Sequence, residues 1–507
     1  MQFYVYTHSR AYGHKNDYKL LKFSALKMSV RSPNHKTLAK TPTGIDGLDE
    51  ITGGGFPTGR PILVCGSAGC GKTLMATQFL VKGITQYDEP GVFISFEESE
   101  KDLAQNVESL GFDLDRLVAE KKLKVSHIRI ERSEIEETGE YDLEGLFIRI
   151  NHAIDSIGAK RIVLDTIESL FSGLDNTLVL RSEIRRLFQW LKDKGVTAII
   201  TGERGESTLT KQGLEEYVSD CVILLDFRVI DQIATRRLRI VKYRGSVHGT
   251  NEYPFLVDED GISVLPITSL KLEHKASTEI ISTGFPDLDK LFGGGGVFRG
   301  SSILLSGSAG TAKTILATYF ALGSCLRKER VLYFSFEESP DQLIRNSASI
   351  GIDLSSYLKS KLLIIHASRP SLQGLEMHLL SLNKYIREFK PRTVIIDPIS
   401  SLITVGNPSE VRAMLVRLMD MLKINQISSV FTSLTPQQPA QGIDLTEDLV
   451  SSLADTWIRL RNEESNGDRI RGLYVLKARG MGHSSAVWNF RITDKGVKLL
   501  KKGTPKL

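Results

Sequence analysis

The chain has 507 residues, 41% hydrophobic and 25% charged, with 65 Lys and Arg against 60 Asp and Glu for a net charge of +5. That length holds two or three domains, each large enough to bury a core. The surplus is local: residues 1–40 carry eight Lys or Arg and only Asp17, and the other 57 basic and 59 acidic residues form a nearly neutral body. Such a body argues against a protein whose main task is coating nucleic acid, although a local basic channel is compatible with it.

Cys65, Cys70, Cys221 and Cys325 are too few and too scattered for a disulfide framework, and no C-x-x-C pair offers a zinc site, which predicts a reducing, cytoplasmic setting. No apolar run of about 18 residues is present to span a bilayer. The N-terminus lacks the apolar core of a secretory signal, so no membrane partner is expected. Residues 1–40 show neither helical nor strand periodicity and are expected to be disordered. They read either as a basic tail for acidic partners or as an extension ahead of a natural start at Met28.

From residue 41 the chain repeats itself. TPTGIDGLDEITGGGFPTGRPILVCGSAGCGKT returns as ISTGFPDLDKLFGGGGVFRGSSILLSGSAGTAKT, FISFEES as YFSFEES, RIVLDTIESL as TVIIDPISSL and KYRGSVH as KARGMGH, in one order and at spacings of 232 to 241 residues. Two copies of one domain follow, at 41–265 and 279–498, with a polar linker at 266–278 and a short basic tail at 499–507. Apolar runs such as PILVC, GVFISF, RIVLD and TAIIT alternate with helix-length amphipathic stretches. The predicted class is α/β, each copy a mainly parallel sheet flanked by helices.

Gly66-Ser67-Ala68-Gly69-Cys70-Gly71-Lys72-Thr73 fits G-x-x-x-x-G-K-[ST] between a strand and the helix opening at Leu74. Backbone N–H groups and the helix N-terminus would cradle phosphates, Lys72 would reach the β and γ oxygens, and the Thr73 hydroxyl would ligate Mg²⁺. The second loop, Gly307-Ser308-Ala309-Gly310-Thr311-Ala312-Lys313-Thr314 before Ile315, has Ala312 where the pattern asks for Gly. If that position needs positive φ, a Cβ there costs on the order of 1 kcal/mol and weakens the loop without abolishing it.

Asp165 and Asp397 each end an apolar run, the place of a carboxylate that holds a metal's water shell, or simply of a turn cap. Glu97-Glu98 and Glu337-Glu338 end the runs GVFISF and VLYFSF, at the strand ends where open α/β sheets bind ligands and where a carboxylate can orient or deprotonate a nucleophile. Their alternative is a solvated helix start. Lys242, Arg244 and His248, and Lys477, Arg479 and His483, follow strand-like runs and read either as an exposed basic edge or as donors aimed at the γ-phosphate of a neighbour's nucleotide.

Taken together these motifs resemble the KaiC family, the double-domain RecA-like ATPases and autokinases of the cyanobacterial clock and their relatives. The resemblance covers about 41–496 and includes both F-E-E-S motifs, E-E-Y-V-S-D at 215–220 and both K-x-R-G-x-x-H strands. It implies tandem RecA-like P-loop domains in a homohexameric double ring with ATP and Mg²⁺ between subunits. Lys242, Tyr243, Arg244 and His248, or Lys477, Ala478, Arg479 and His483, would then reach the adjacent subunit's ATP, with Arg471 as a further nucleotide contact. Mg²⁺ would be held by Thr73 and Asp165 in the first copy and by Thr314, Asp397 and Glu337 in the second. The first copy resembles the ATPase, with Glu97 and Glu98 orienting water near Glu203 and Arg204. The second resembles the autokinase and autophosphatase, with Glu337 as base beside Glu338. Ser451 and Ser452 fall on the family's adjacent phosphosites and Thr446 on a third hydroxyl, whereas the first copy has Glu216-Tyr217-Val218-Ser219-Asp220 there.

After Lys495-Gly496 only VKLLKKGTPKL remains, in place of the family's activator-binding tail. A KaiA-type activator is therefore not expected, while KaiB-like or signalling partners stay open. Two other readings remain at this stage: a RecA-type DNA-dependent ATPase, and a nucleotide-gated scaffold with little turnover.

Overall fold

The computed structural model describes residues 38–128, 144–170, 177–205, 208–210, 213, 219–230, 233–266, 276–406, 408–435, 451–465 and 468–501. The extension up to residue 37, Glu216 to Val218, Thr446, residues 267–275 of the linker and residues 502–507 lie outside the described residues.

Two nine-stranded sheets organise the chain. Across the first, the order is Gly261–Val264, Glu252–Asp258, Ile233–Tyr243, Cys221–Ile230, Pro61–Gly66, Thr197–Glu203, Arg161–Asp165, Gly91–Ser95 and Leu123–His127. The second repeats it in mirror listing, from Leu363–Ala367 through Val331–Ser335, Thr393–Asp397, Ser428–Leu434 and Ser302–Gly307 to Thr456–Ser465, Asp468–Ala478, Trp488–Thr493 and Gly496–Lys501. In each sheet six strands run parallel and the last three antiparallel. Both are α/β domains.

The parallel strands are apolar along their whole length because helices cover both faces. Successive side chains of Val331–Ser335 show the division: Val331 and Tyr333 pack with Leu316 and Phe320 of the helix Lys313–Leu326, while Leu332 and Phe334 pack with Leu379 and Leu415 on the other face.

Both domains extend slightly beyond the limits expected from sequence. Lys40–Thr41 pairs with Phe56–Pro57, and Lys40 Nζ donates to the carbonyls of Thr52 and Gly53. The final strand runs to Lys501, past the expected end at 498, because Trp488–Thr493 offers an unpaired edge and Leu499 packs on the core. The two domains meet where Glu252–Asp258 lies against the helix Leu375–Phe389. Leu256 and Leu265 join the second domain's core there, and Lys384 pairs with Asp258 at 3.0 Å and with Asp260 at 2.7 Å. Among the described residues no helix is long and apolar enough to cross a membrane.

Candidate functional site

The strand Pro61–Gly66 delivers the first loop. A Cβ at Gly66 would collide with the Leu225 carbonyl and Cys70 Sγ, and Gly69 and Gly71 take φ of 74° and 104°. Glycine is thus required sterically at one position and conformationally at the others. Ser67, Ala68 and Gly69 are exposed, Cys70 is buried, and the helix Lys72–Tyr87 starts at once, with Leu74 half-buried. Lys72 is buried and its Nζ donates to Gly66 O at 2.9 Å and Ser67 O at 3.1 Å. The Thr73 hydroxyl donates to Asp165 Oδ2 at 2.9 Å, and Thr201 donates to the other carboxylate oxygen. Burial pushes the Asp165 carboxyl up, against the pull of the Thr201 and Thr73 hydroxyls.

The second loop has the same build. Lys313 Nζ donates to Gly307 O at 2.8 Å and Ser308 O at 2.9 Å, and Thr311 Oγ1 donates to Ser308 O. Burial holds Lys313 below its ordinary value, opposed by Asp397 and Glu337. A cavity of about 490 Å³ opens over it, with Ala309, Gly310, Thr314, Ile315, Glu337 and Arg471 in its wall. Backbone donors, a lysine, and a hydroxyl beside a carboxylate around a cavity of that size are a donor set that fits a nucleoside triphosphate with Mg²⁺. Ala312 sits at φ 74°, the strained value expected from its place in the pattern. Ala312→Gly is expected to stabilise the second domain by about 1 kcal/mol, read as a rise in its melting temperature.

The two glutamates of each F-E-E-S separate. Glu97 accepts from Thr166 at 2.8 Å and Ser169 at 2.6 Å, and Glu337 from Ser401 at 3.2 Å, so both turn toward the Asp165 and Asp397 loops. Glu98 and Glu338 instead accept from Asn106 and Asn346 on the following helices. Burial, and then Asp397, push the Glu338 carboxyl up. The motif's serines, Ser99 and Ser339, cap those helices, which accounts for their recurrence.

The basic motifs lie at the other end of the sheets. Arg244 pairs with Asp220 at 3.6 Å, and Asp220 N donates to Pro61 O, at the start of the strand whose end carries the first loop. Arg479 pairs likewise with Asp455, whose N–H donates to Ser302 O. Pro61–Gly66 and Ser302–Gly307 each cover about 17 Å, so neither arginine stands at its own phosphate loop. Arg471 does, its Nε donating to Gly310 O at 3.1 Å. A register shift in each hairpin, between Val222 and Ile223 and between Trp457 and Ile458, explains how the basic pairs leave the core. Without it, alternation from Leu238 and Ile240 would bury Lys242. With it, Tyr243 turns inward instead.

Tyr243 is accordingly buried, its hydroxyl donating to Gly55 O at 2.8 Å and its ring stacked on His248. Tyr243, and Ala478 packed on the second core, thus anchor their loops through their side chains. His483 is exposed. Lys477 Nζ donates to Ser451 O at 2.9 Å and Arg479 to Ser452 O at 2.7 Å, which places both serines beside the basic motif; Ser452 is exposed and Ser451 half-buried. In the first domain Ser219, which precedes Asp220 as Ala454 precedes Asp455, is buried, and the positions matching Ser451 and Ser452, Glu216 and Tyr217, lie outside the described residues. Glu203 N donates to Glu168 Oε1, and Arg204 pairs with Asp226. Sequence reasoning missed the acceptors Asp220 and Asp455, and also Arg236, which occupies in the first domain the strand position of Arg471 and lies 4.8 Å over the Phe227 ring. The spacing of the two K-x-R motifs points to Arg236.

A family model described as "ATPase: KaiC" matches residues 41–269 and again 281–504. The chain belongs to the KaiC family. It is 58% identical over 465 residues to "Circadian clock protein KaiC2" of Synechocystis sp., covering 92% of this chain and 82% of that protein. To "Circadian clock oscillator protein KaiC" of Synechococcus elongatus it is 38% identical over 473 residues, 92% of this chain and 91% of the relative. "Circadian clock protein KaiC3" of Synechocystis sp. is also 38% identical, with 92% of each covered. As in a KaiC ATPase, ATP binding belongs with the doubled phosphate loops.

Proposed function

We propose that the chain binds Mg-ATP at both loops, hydrolyses it in the first domain, and in the second transfers the γ-phosphoryl group to Ser451 or Ser452, within a hexameric ring of identical subunits. One observation carries the reading: each sheet has its phosphate loop at one end and its Lys-x-Arg motif at the other, so a complete site needs the loop of one copy and the basic motif of the next. Such a contact is head to tail, the kind that forms a ring when the rotation from copy to copy closes and a filament when it does not.

In this arrangement Lys72 and Lys313 hold the β and γ oxygens, while Thr73 with Asp165 and Thr314 with Asp397 hold the cation. Mg²⁺ would supply charge neutralisation on the phosphates there. Glu97, already turned toward Asp165, orients the attacking water. In the second domain the serine Oγ–phosphorus bond forms as the bond from the γ-phosphorus to the β,γ-bridging oxygen breaks, the hydroxyl proton passes to the Glu337 beside that nucleotide, on the neighbouring copy, and ADP leaves. Ser451 and Ser452 stand with Lys477 and Arg479 at the end facing the neighbour, so the donor nucleotide is the neighbour's.

Native mass spectrometry before and after incubation with Mg-ATP tests ring and transfer together. Six copies and a gain of one or two phosphates per chain are expected. A gain that persists in the Ser451→Ala/Ser452→Ala double variant, or none at all in the unaltered protein, refutes the autokinase reading.

A further inference from the structure

Asp165 and Asp397 are equivalent, yet their hydrogen bonds differ. Each gives one oxygen to a threonine on the adjacent strand, Thr201 or Thr432. In the first domain Oδ2 accepts from Thr73 of the phosphate loop at 2.9 Å. In the second it accepts from the Tyr333 hydroxyl at 2.7 Å, and among the described residues Thr314 makes no such bond. Tyr333 is fully buried in the layer with Leu316 and Ile395, and the same register position in the first domain is Phe93, which has no hydroxyl.

We propose that Tyr333 is the residue that positions Asp397 for the metal in the second domain, a task the loop threonine performs in the first. This assignment rests on the nucleotide-binding reading above. In the first domain the donor that steadies Asp165 is itself the hydroxyl that Mg²⁺ would take, so bringing in the cation rearranges the bond that fixes the carboxylate. The Tyr333 phenol comes from the next strand, beneath the carboxylate and inside the apolar layer, and takes no part in holding the cation. A carboxylate oxygen accepts more than one hydrogen bond, so Asp397 Oδ2 keeps capacity for a metal-bound water while Tyr333 stays in place. Its orientation is thereby set before metal arrives, and the Thr314 hydroxyl has no bond to Asp397 to surrender. Partners of this kind set both the direction and the charge of a metal-holding group. The two domains thus carry one donor set wired in two ways, which gives them separate metal requirements.

The test uses the full chain with a non-hydrolysable ATP analogue, and Mn²⁺ binding followed by electron paramagnetic resonance. Tyr333→Phe is expected to weaken one of two classes of Mn²⁺ about 10-fold or more and to leave the other within about twofold. Analogue binding without metal is expected to stay unchanged. Added to Asp397→Asn, Tyr333→Phe is expected to change that class no further, as for two residues acting in series. No shift in either class, equal shifts in both, or additive effects of the two substitutions overturn the assignment. Absence of any Mn²⁺ bound by the unaltered protein with the analogue would instead overturn the nucleotide-site reading beneath it. If Tyr333→Phe does not fold, the reciprocal Phe93→Tyr decides: it supplies Asp165 with a metal-independent donor. Tightening of the first domain's class by about threefold or more supports the proposal, and no change overturns it.

Discussion

Arg244→Ala is expected to lower steady ATP turnover by about 10³-fold or more, the scale of a trans-acting arginine on the γ-phosphate. Its ion pair with Asp220 spans 3.6 Å and its side chain is about half exposed, so the pair contributes less than about 1 kcal/mol and is readily exchanged for phosphate. Loss of turnover alone would not say whose nucleotide the arginine serves. Mixing does: Lys72→Ala chains keep an intact Arg244, and Arg244→Ala chains keep an intact loop. In mixed rings an interface joining the loop of the second variant to the motif of the first is wild type, and random order gives roughly a quarter of such interfaces at equal amounts. Phosphate release is therefore expected to return to about that fraction, although each variant alone is inactive. No recovery after exchange of subunits would place Arg244 in its own chain's site.

Lys313→Ala is expected to abolish phosphate incorporation at Ser451 and Ser452, by at least about 10²-fold, while first-domain hydrolysis persists. Lys313 is buried and its Nζ lies 2.8 Å from Gly307 O and 2.9 Å from Ser308 O, so its charge is held at the mouth of the loop with little water to screen it. Intact-mass analysis with radiolabelled phosphate release reads both activities on one sample. Undiminished incorporation would mean that the first domain's nucleotide is the donor to the serines.

What was legible in the sequence was local. The loops, Asp165, Asp397 and the two F-E-E-S motifs are strings in which a strand end, a glycine and a charged group adjoin, and the recurrence of each string marks it as more than a turn. The strained backbone at Ala312 followed from a single departure in such a string. What was not legible depends on which strands lie side by side. Tyr333 reads as one more apolar residue until the pairing of Ser335 with Asp397 brings its hydroxyl under that carboxylate. Asp220 and Asp455 gain meaning only where the hairpins return beside Arg244 and Arg479. The inward turn of Tyr243 was not legible either: the side chain between two outward cations must point inward, and the bulge that sets this phase has no clear signature among V-K-Y and L-K-A.

That bulge has a consequence for how the duplicated strand is shared. Up to it, the inward residues of Asp468–Ala478 serve the chain's own interior, with Leu473 and Val475 in the core and Arg471 at the chain's own phosphate loop. Past it, one extra residue shifts the alternation by half a period, and Lys477 and Arg479 face away from that interior. One continuous ribbon is thus divided into a private stretch and a public one, and the same division recurs before Lys242 and Arg244. A single unpaired residue in each hairpin separates the side chains that pack in the chain's own core from the cations that turn away from it.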